Sequence, residues 1–164
     1  PLANGNECRK TKHIMFSPTP ETVPANYKIN DTPIDSVQSF KYLGVFFTAN
    51  LKWTCHIEYI STKALKKLGL LKRRLHLATK ETRFHAYNCL IRPSLEYGSI
   101  IWHPQGANLT NLLESVQNKA TRFITSSYSR HQSVSSLKNS LHLPLLAMRR
   151  KLARLSFFSF AVPQ

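Results

Sequence analysis

The stretch FKYLGVFFTANLKWTCHI, residues 40–57, changes its periodicity part-way. Its first half is dense in aromatic and β-branched side chains, the composition of a half-buried strand. Gly44 interrupts that run, which marks a bulge or a close approach of a backbone or ligand. From Trp53 the spacing is helical, with Ile57, Ile60, Ala64, Leu68, Leu71 and Leu75 recurring at every third or fourth position. At about 100° per residue they fall within an arc of roughly 80°, the buried stripe of an amphipathic helix over residues 53–76. Lys63, Lys66, Lys67, Arg73 and Arg74 occupy an adjoining arc of roughly 120°, interrupted by Leu70. A strand-like segment thus feeds, without a linker, into a helix with one apolar and one cationic face.

Upstream, KHIMFS (residues 12–17) reads as a short strand ended by the prolines of SPTPE. YKIND places Tyr27 and Ile29 on one face, and Asn30–Pro33 has the composition of a turn. The first third is expected to be a small antiparallel β element. Downstream, Thr79 is placed to cap a helix with Glu81 in its first turn, where a carboxylate meets the positive end of the helix dipole. Phe84, Tyr87, Ile91 and Leu95 form its buried face, and Pro93 is expected to kink or split it. Asn111-x-x-Glu114 reads as a variant capping box ahead of a stripe of Leu113, Val116, Ala120, Phe123 and Ile124. A polar loop at 127–133, a short helix around Leu137 and Leu141 broken at Pro144, and a last basic helix through MRRKLARLSFF complete the chain. No internal repeat and no low-complexity linker is present.

The 164 residues are 42% hydrophobic, enough for a real core, which excludes wholesale disorder. The formal net charge is +15, and it is unevenly placed. Residues 1–50 hold five Lys/Arg against four Asp/Glu, whereas residues 51–164 hold eighteen against four. Such an excess favours a polyanionic partner, nucleic acid first and anionic membrane second, over a merely solvated basic surface. Cys8, Cys55 and Cys89 are too few and too scattered for a disulfide framework and fit a reducing compartment. The sequence opens on Pro1 without a signal peptide and reads as a fragment, and its apolar runs are far shorter than a membrane span needs.

Chemistry is scarce. Nucleotidyl transfer needs clustered carboxylates for divalent ions, but the only aspartates are Asp31 and Asp35, and Glu58, Glu81, Glu96 and Glu114 read as surface or cap residues. His85 with Cys89, and Cys55 with His56, match no compact zinc spacing; His56 reads instead as a satisfied residue at the helix start. Neither a nucleophile motif nor a phosphate-cradling glycine loop occurs.

Taken in order, the segments 39–57, KALKKLGLLKRRL (63–75), LIRPSLEYGSIIWHP (90–104), LESVQNKATRFIT (113–125) and 133–155 resemble the end of the palm and the thumb of non-LTR (LINE-type) retrotransposon reverse transcriptases. KTKHIMFS (10–17) resembles the Lys-Thr motif of that palm. The resemblance covers nearly the whole chain and lies in the order of the pieces. It implies that Phe40, Lys41, Tyr42, Leu43 and Gly44 form a primer grip, a turn holding the 3′ end of the growing strand. It implies that the first basic helix, with Lys63, Lys66, Lys67, Arg73 and Arg74, tracks the backbone of an RNA/DNA template–primer duplex. Lys10 corresponds to a lysine proposed in related polymerases to protonate departing pyrophosphate. The aspartates that bind Mg in that family lie upstream of anything here, so the resemblance assigns Mg to a missing palm and no polymerase activity to this chain alone.

The expected fold is therefore α+β, mainly α, with a palm-end remnant over 1–50 and a helical thumb and extension over 51–164. The expected role is duplex gripping in RNA-directed DNA synthesis, with nuclear localisation and the upstream palm as partner. The competing reading is a standalone basic module, derived from such an element, that binds nucleic acid or protein. A membrane-surface protein using basic amphipathic helices ranks below both.

Overall fold

In the computed structural model, which describes residues 11–17, 26–29, 31–129 and 131–161, the aromatic run folds back on itself. Two four-residue strands, β5 (Ser39–Tyr42) and β6 (Val45–Thr48), pair antiparallel with Tyr42 opposite Val45 and Lys41 opposite Phe46. Leu43 (φ 45°) and Gly44 (φ 85°) are the two linking residues, both left-handed, as a tight primed hairpin turn demands. The strand read from the residues alone, with Gly44 at a bulge or close approach, is instead a hairpin whose turn contains Gly44. Gly44 supplies the positive φ that lets the chain reverse.

Among the described residues, four two-residue strands precede it. β2 (Lys28–Ile29) pairs antiparallel with β3 (Thr32–Pro33), and β1 (Lys12–His13) pairs with β4 (Asp35–Ser36). The latter ladder is parallel, so the β element is not purely antiparallel as expected. The Lys12 ammonium meets the Asp35 carboxylate across it and holds that carboxyl below the usual carboxylate range.

The chain divides into two compact units, residues 1–56 and 57–164. Helix α1 (Thr54–Arg74) carries the chain from the first into the second. Ile57, Ile60, Ala64, Leu68 and Leu71 are buried, as their spacing requires. α2 (Lys80–Ala86) starts on Thr79, whose hydroxyl accepts the Thr82 amide at 3.3 Å. A π-helical segment, Tyr87–Ile91, then leads into α3 (Arg92–Glu96). The Arg92 amide reaches back to the Tyr87 carbonyl, and Pro93, with no N–H to donate, sits in the first turn of α3. Proline thus splits the helix by inserting a wider turn rather than ending it.

α4 (Ala107–Thr125) is the central element, packed against α2, α5 (Val134–Ser140) and α6 (Leu146–Ala161). Its buried stripe is the expected one, Leu113, Val116, Ala120, Phe123 and Ile124. Its start is not. The helix begins after Gly106, so Asn111 and Glu114 lie inside it and form no capping box. Glu114 instead accepts the Ala147 amide at 3.0 Å, in the first turn of α6, and faces the Lys138 ammonium at 3.9 Å. It caps a different helix from the one expected. The Tyr87 hydroxyl donates to Gln117 Oε1 at 2.9 Å, and Gln117 Nε2 donates to the Pro144 carbonyl at 2.9 Å. Burial pushes that phenol up. Beyond Arg150, α6 leaves Leu152, Leu155, Phe157 and Phe158 exposed.

Arg83 closes the seam between α1, α2 and α4. Its guanidinium donates to the carbonyls of Leu75 (3.1 Å), His76 (2.8 Å) and Phe123 (3.2 Å) and to the Ser126 hydroxyl, with its carbon 5.4 Å from the Phe123 ring centre. These carbonyls lie at the ends of two helices, where the regular ladder of amide donors runs out. Replacing Arg83 by Met is expected to cost about 2–3 kcal/mol in urea unfolding followed by helical circular dichroism. Arg83→Lys should recover less than half, because an ammonium cannot span the fork. A loss below about 0.5 kcal/mol, the size of an ordinary surface change, would contradict this role.

Candidate nucleic-acid interface

The hairpin exposes its turn and covers its second strand. Val45 is buried and Phe40, Phe46 and Phe47 are half-buried, whereas Lys41, Tyr42, Leu43 and Gly44 are exposed. Tyr42 and Leu43, at 59% and 73% exposure, make a planar and aliphatic tip. The Lys41 ammonium lies 5.3 Å from the centre of the Phe46 ring opposite it, which holds a cation just behind that tip. Four of the five grip residues expected from sequence thus face solvent, while Phe40 faces inward beside Phe47.

A compact turn between β6 and α1 takes the place of a linker. The Leu51 amide returns to the Thr48 carbonyl at 2.8 Å, Asn50 Oδ1 accepts the Lys52 amide at 3.0 Å, and the Thr48 hydroxyl donates to the Lys52 carbonyl at 2.8 Å. This Asx-type turn aims Trp53 at Phe47, edge to face with centres 5.7 Å apart. One turn into α1, His56 is buried and its Nδ1 accepts the Phe46 amide at 3.3 Å. In the register of this ladder that amide points away from β5, so the imidazole satisfies a sheet-edge donor. At the helix start His56 is thus engaged through Nδ1, the half of the sequence expectation that this bond supports.

On α1 the cationic arc is not uniform. Lys63, Lys66, Arg73 and Arg74 are exposed, with the Lys63 ammonium 5.9 Å from the Tyr59 ring centre. Lys67 is half-buried, and its ammonium donates to the Leu90 carbonyl at 3.0 Å and the Ser94 hydroxyl at 2.6 Å. It occupies the edge of the arc nearest the core, where the backbone opened by the π turn offers it acceptors. A phosphate would have to compete with those bonds. Lys72, Arg73 and Arg74 also sit in the last helical turn, where cations complement the dipole.

Other cations are committed to the interior. Arg149 is paired with Glu96, which Arg92 also approaches at 3.9 Å. Arg150, at 2% exposure, lies over Trp102 with 5.8 Å to the ring centre, and burial lowers its basicity. Arg122 donates to three carbonyls of the loop C-terminal to its helix. Glu96 and Glu114, taken from sequence as surface or cap residues, are half-buried, Glu96 paired with Arg149 and Arg92 and Glu114 with Lys138. Glu58 and Glu81 are exposed.

Lys10 and Cys8 lie outside the described residues. Cys55 and Cys89 are free and exposed. Among the described residues no three His, Cys, Asp or Glu side chains gather so as to hold a metal ion, so these residues do not fit a magnesium centre. Among the same residues no helix is long and apolar enough to cross a membrane.

No protein-family model matches the chain, and no solved structure matches it. Curated proteins do. Over 125 residues it is 28% identical to the probable RNA-directed DNA polymerase from transposon X-element of Drosophila melanogaster, covering 74% of this chain. Over 97 residues, 56% of this chain, it is 32% identical to the retrovirus-related Pol polyprotein from type-1 retrotransposable element R1 of Nasonia vitripennis. The chain is thus similar, over part of its length, to polymerase proteins of retrotransposable elements. An uncharacterized Caenorhabditis elegans protein is 33% identical over 72 residues, 44% of this chain. The aligned part amounts to 14% of the X-element polymerase, 24% of the R1 polyprotein and 36% of the nematode protein.

His56 gives the junction a pH signature. Burial first, and the Lys41 charge second, lower its pKa from 6.5 to about 4. Between those values the unfolded chain binds the proton and the folded one does not, so stability rises with pH. The contribution is complete above about 6.5 and is lost as pH falls to about 4. Urea midpoints measured between pH 7 and 4 should therefore fall more steeply for the native chain than for His56→Asn. Parallel profiles would show that the imidazole is not held neutral.

Proposed function

We propose that this chain is a C-terminal part of a retrotransposon reverse transcriptase, comprising the end of the palm and the thumb. In this reading it binds the template–primer duplex and leaves nucleotidyl transfer to carboxylates carried elsewhere in the polymerase. Relation to two retrotransposon polymerases supports the family part of this reading. The duplex part is carried by one observation: Lys63, Lys66, Arg73 and Arg74 project from α1 into solvent while the stripe beside them is buried. Fixed cations along a rigid rod suit a partner whose negative charges repeat along a backbone. The hairpin supplies a different contact, a phenol ring and a leucine at a tip flanked by Lys41, which suits the sugar and base face of a strand end. Gly44 keeps that tip tight, because a side chain at φ 85° strains the backbone.

The test is the salt dependence of binding to an RNA–DNA duplex with a recessed 3′ end. With the four exposed cations of α1 on phosphates, log affinity should fall against log salt with a slope near about −3 to −4. Replacing Lys63, Lys66 and Arg74 together by Gln should flatten it by about 2 to 3. Lys67→Gln should leave the slope alone and lower stability, since its ammonium serves the helix break. An unchanged slope in the triple variant would remove α1 from the interface.

A further inference from the structure

We propose that His56 is a positioning residue for the hairpin tip: its neutral imidazole, accepting the Phe46 amide at Nδ1, sets the direction in which Tyr42 and Leu43 meet a nucleic-acid strand. The proposal rests on the reading of the hairpin as a strand contact. A hairpin of two four-residue strands is marginal in water and needs an anchor to hold one orientation. Packing of Phe47 on Trp53 supplies attraction but little direction, because an edge-to-face pair tolerates rotation. A hydrogen bond is directional. The imidazole that accepts it is 1% exposed and projects from the first turn of a 21-residue helix, so its position is set by the rigid element and not by the loop. Accepting at Nδ1 requires that nitrogen to carry no proton, which puts the ring proton on Nε2. Phe46 stands one residue from the buried Val45 and two from Gly44, so an error at its amide is passed directly to the turn.

The variants are chosen by where each side chain places an acceptor. His56→Asn keeps an oxygen near the Nδ1 position, His56→Gln moves it to the Nε2 position, and His56→Leu removes it. Tyr42→Ala with Leu43→Ala, both at exposed positions, reports on the tip alone. In the 164-residue chain the His56 Nδ1 should show the nitrogen-15 shift of an unprotonated ring nitrogen at pH 7. Exchange of the Phe46 amide should rise about tenfold or more in His56→Gln and His56→Leu and stay near native in His56→Asn. Affinity for the recessed RNA–DNA duplex should fall about tenfold in the tip variant, in His56→Gln and in His56→Leu, with less than about twofold loss in His56→Asn. Combining the tip variant with His56→Gln should cost no more than either, because both remove one contact. A protonated Nδ1, or native affinity in His56→Gln and His56→Leu while the tip variant binds weakly, or equal losses in His56→Asn and His56→Leu, would overturn the proposal. Native affinity in the tip variant would instead overturn the hairpin reading itself, and the proposal with it.

Discussion

Burial of one face of α1 governs where the charge of this protein goes. Ile57, Ile60, Ala64, Leu68 and Leu71 are all taken out of water, and each larger side chain among them contributes about 1.5–3 kcal/mol by its burial. A helix is rigid, so turning that stripe inward turns Lys63, Lys66, Arg73 and Arg74 outward. No ligand is needed to hold them there. Lys67 shows the limit of the rule: standing at the border of the stripe, it is drawn to the Leu90 carbonyl and the Ser94 hydroxyl.

The same region is short of carboxylates, and it spends two of its four inside. Glu96 holds Arg149, and Glu114 serves the Ala147 amide and the Lys138 ammonium. Buried or half-buried cations thereby gain partners. Only Glu58 and Glu81 remain exposed to offset the outward-facing cations. A strongly positive exterior is thus partly a consequence of how the interior is neutralised. In the proposed function that exterior meets the phosphates of a nucleic acid.

Legibility in the sequence tracked the range of the interaction. Helical stripes on α1 and α4, the Thr79 cap and the disruption at Pro93 depend on neighbours within a turn or two, and all were readable. Residue patterning alone reads the hairpin as one interrupted strand, and only the resemblance implied a turn there, because its turn is Leu43-Gly44 whereas an Asn or Asp before glycine is the usual signal. Glu114 is misread because its partners lie 24 and 33 residues further on, at Lys138 and Ala147. Arg83 carried no signal at all, since its acceptors are backbone carbonyls that any sequence possesses. At the junction, WTCHI gave a clue: a polar ring beside Ile57 on a buried stripe needs a donor or acceptor. Nothing local named Phe46 as that partner.

The direct measurement of the outward cationic face is lysine acylation, read site by site, with and without an RNA–DNA duplex. Duplex should slow modification of Lys63 and Lys66 while leaving Lys67 and Lys138, already engaged by Leu90, Ser94 and Glu114, at their slow duplex-independent rates. Equal modification of Lys63 and Lys66 in the two conditions would contradict the assignment of α1 to nucleic acid.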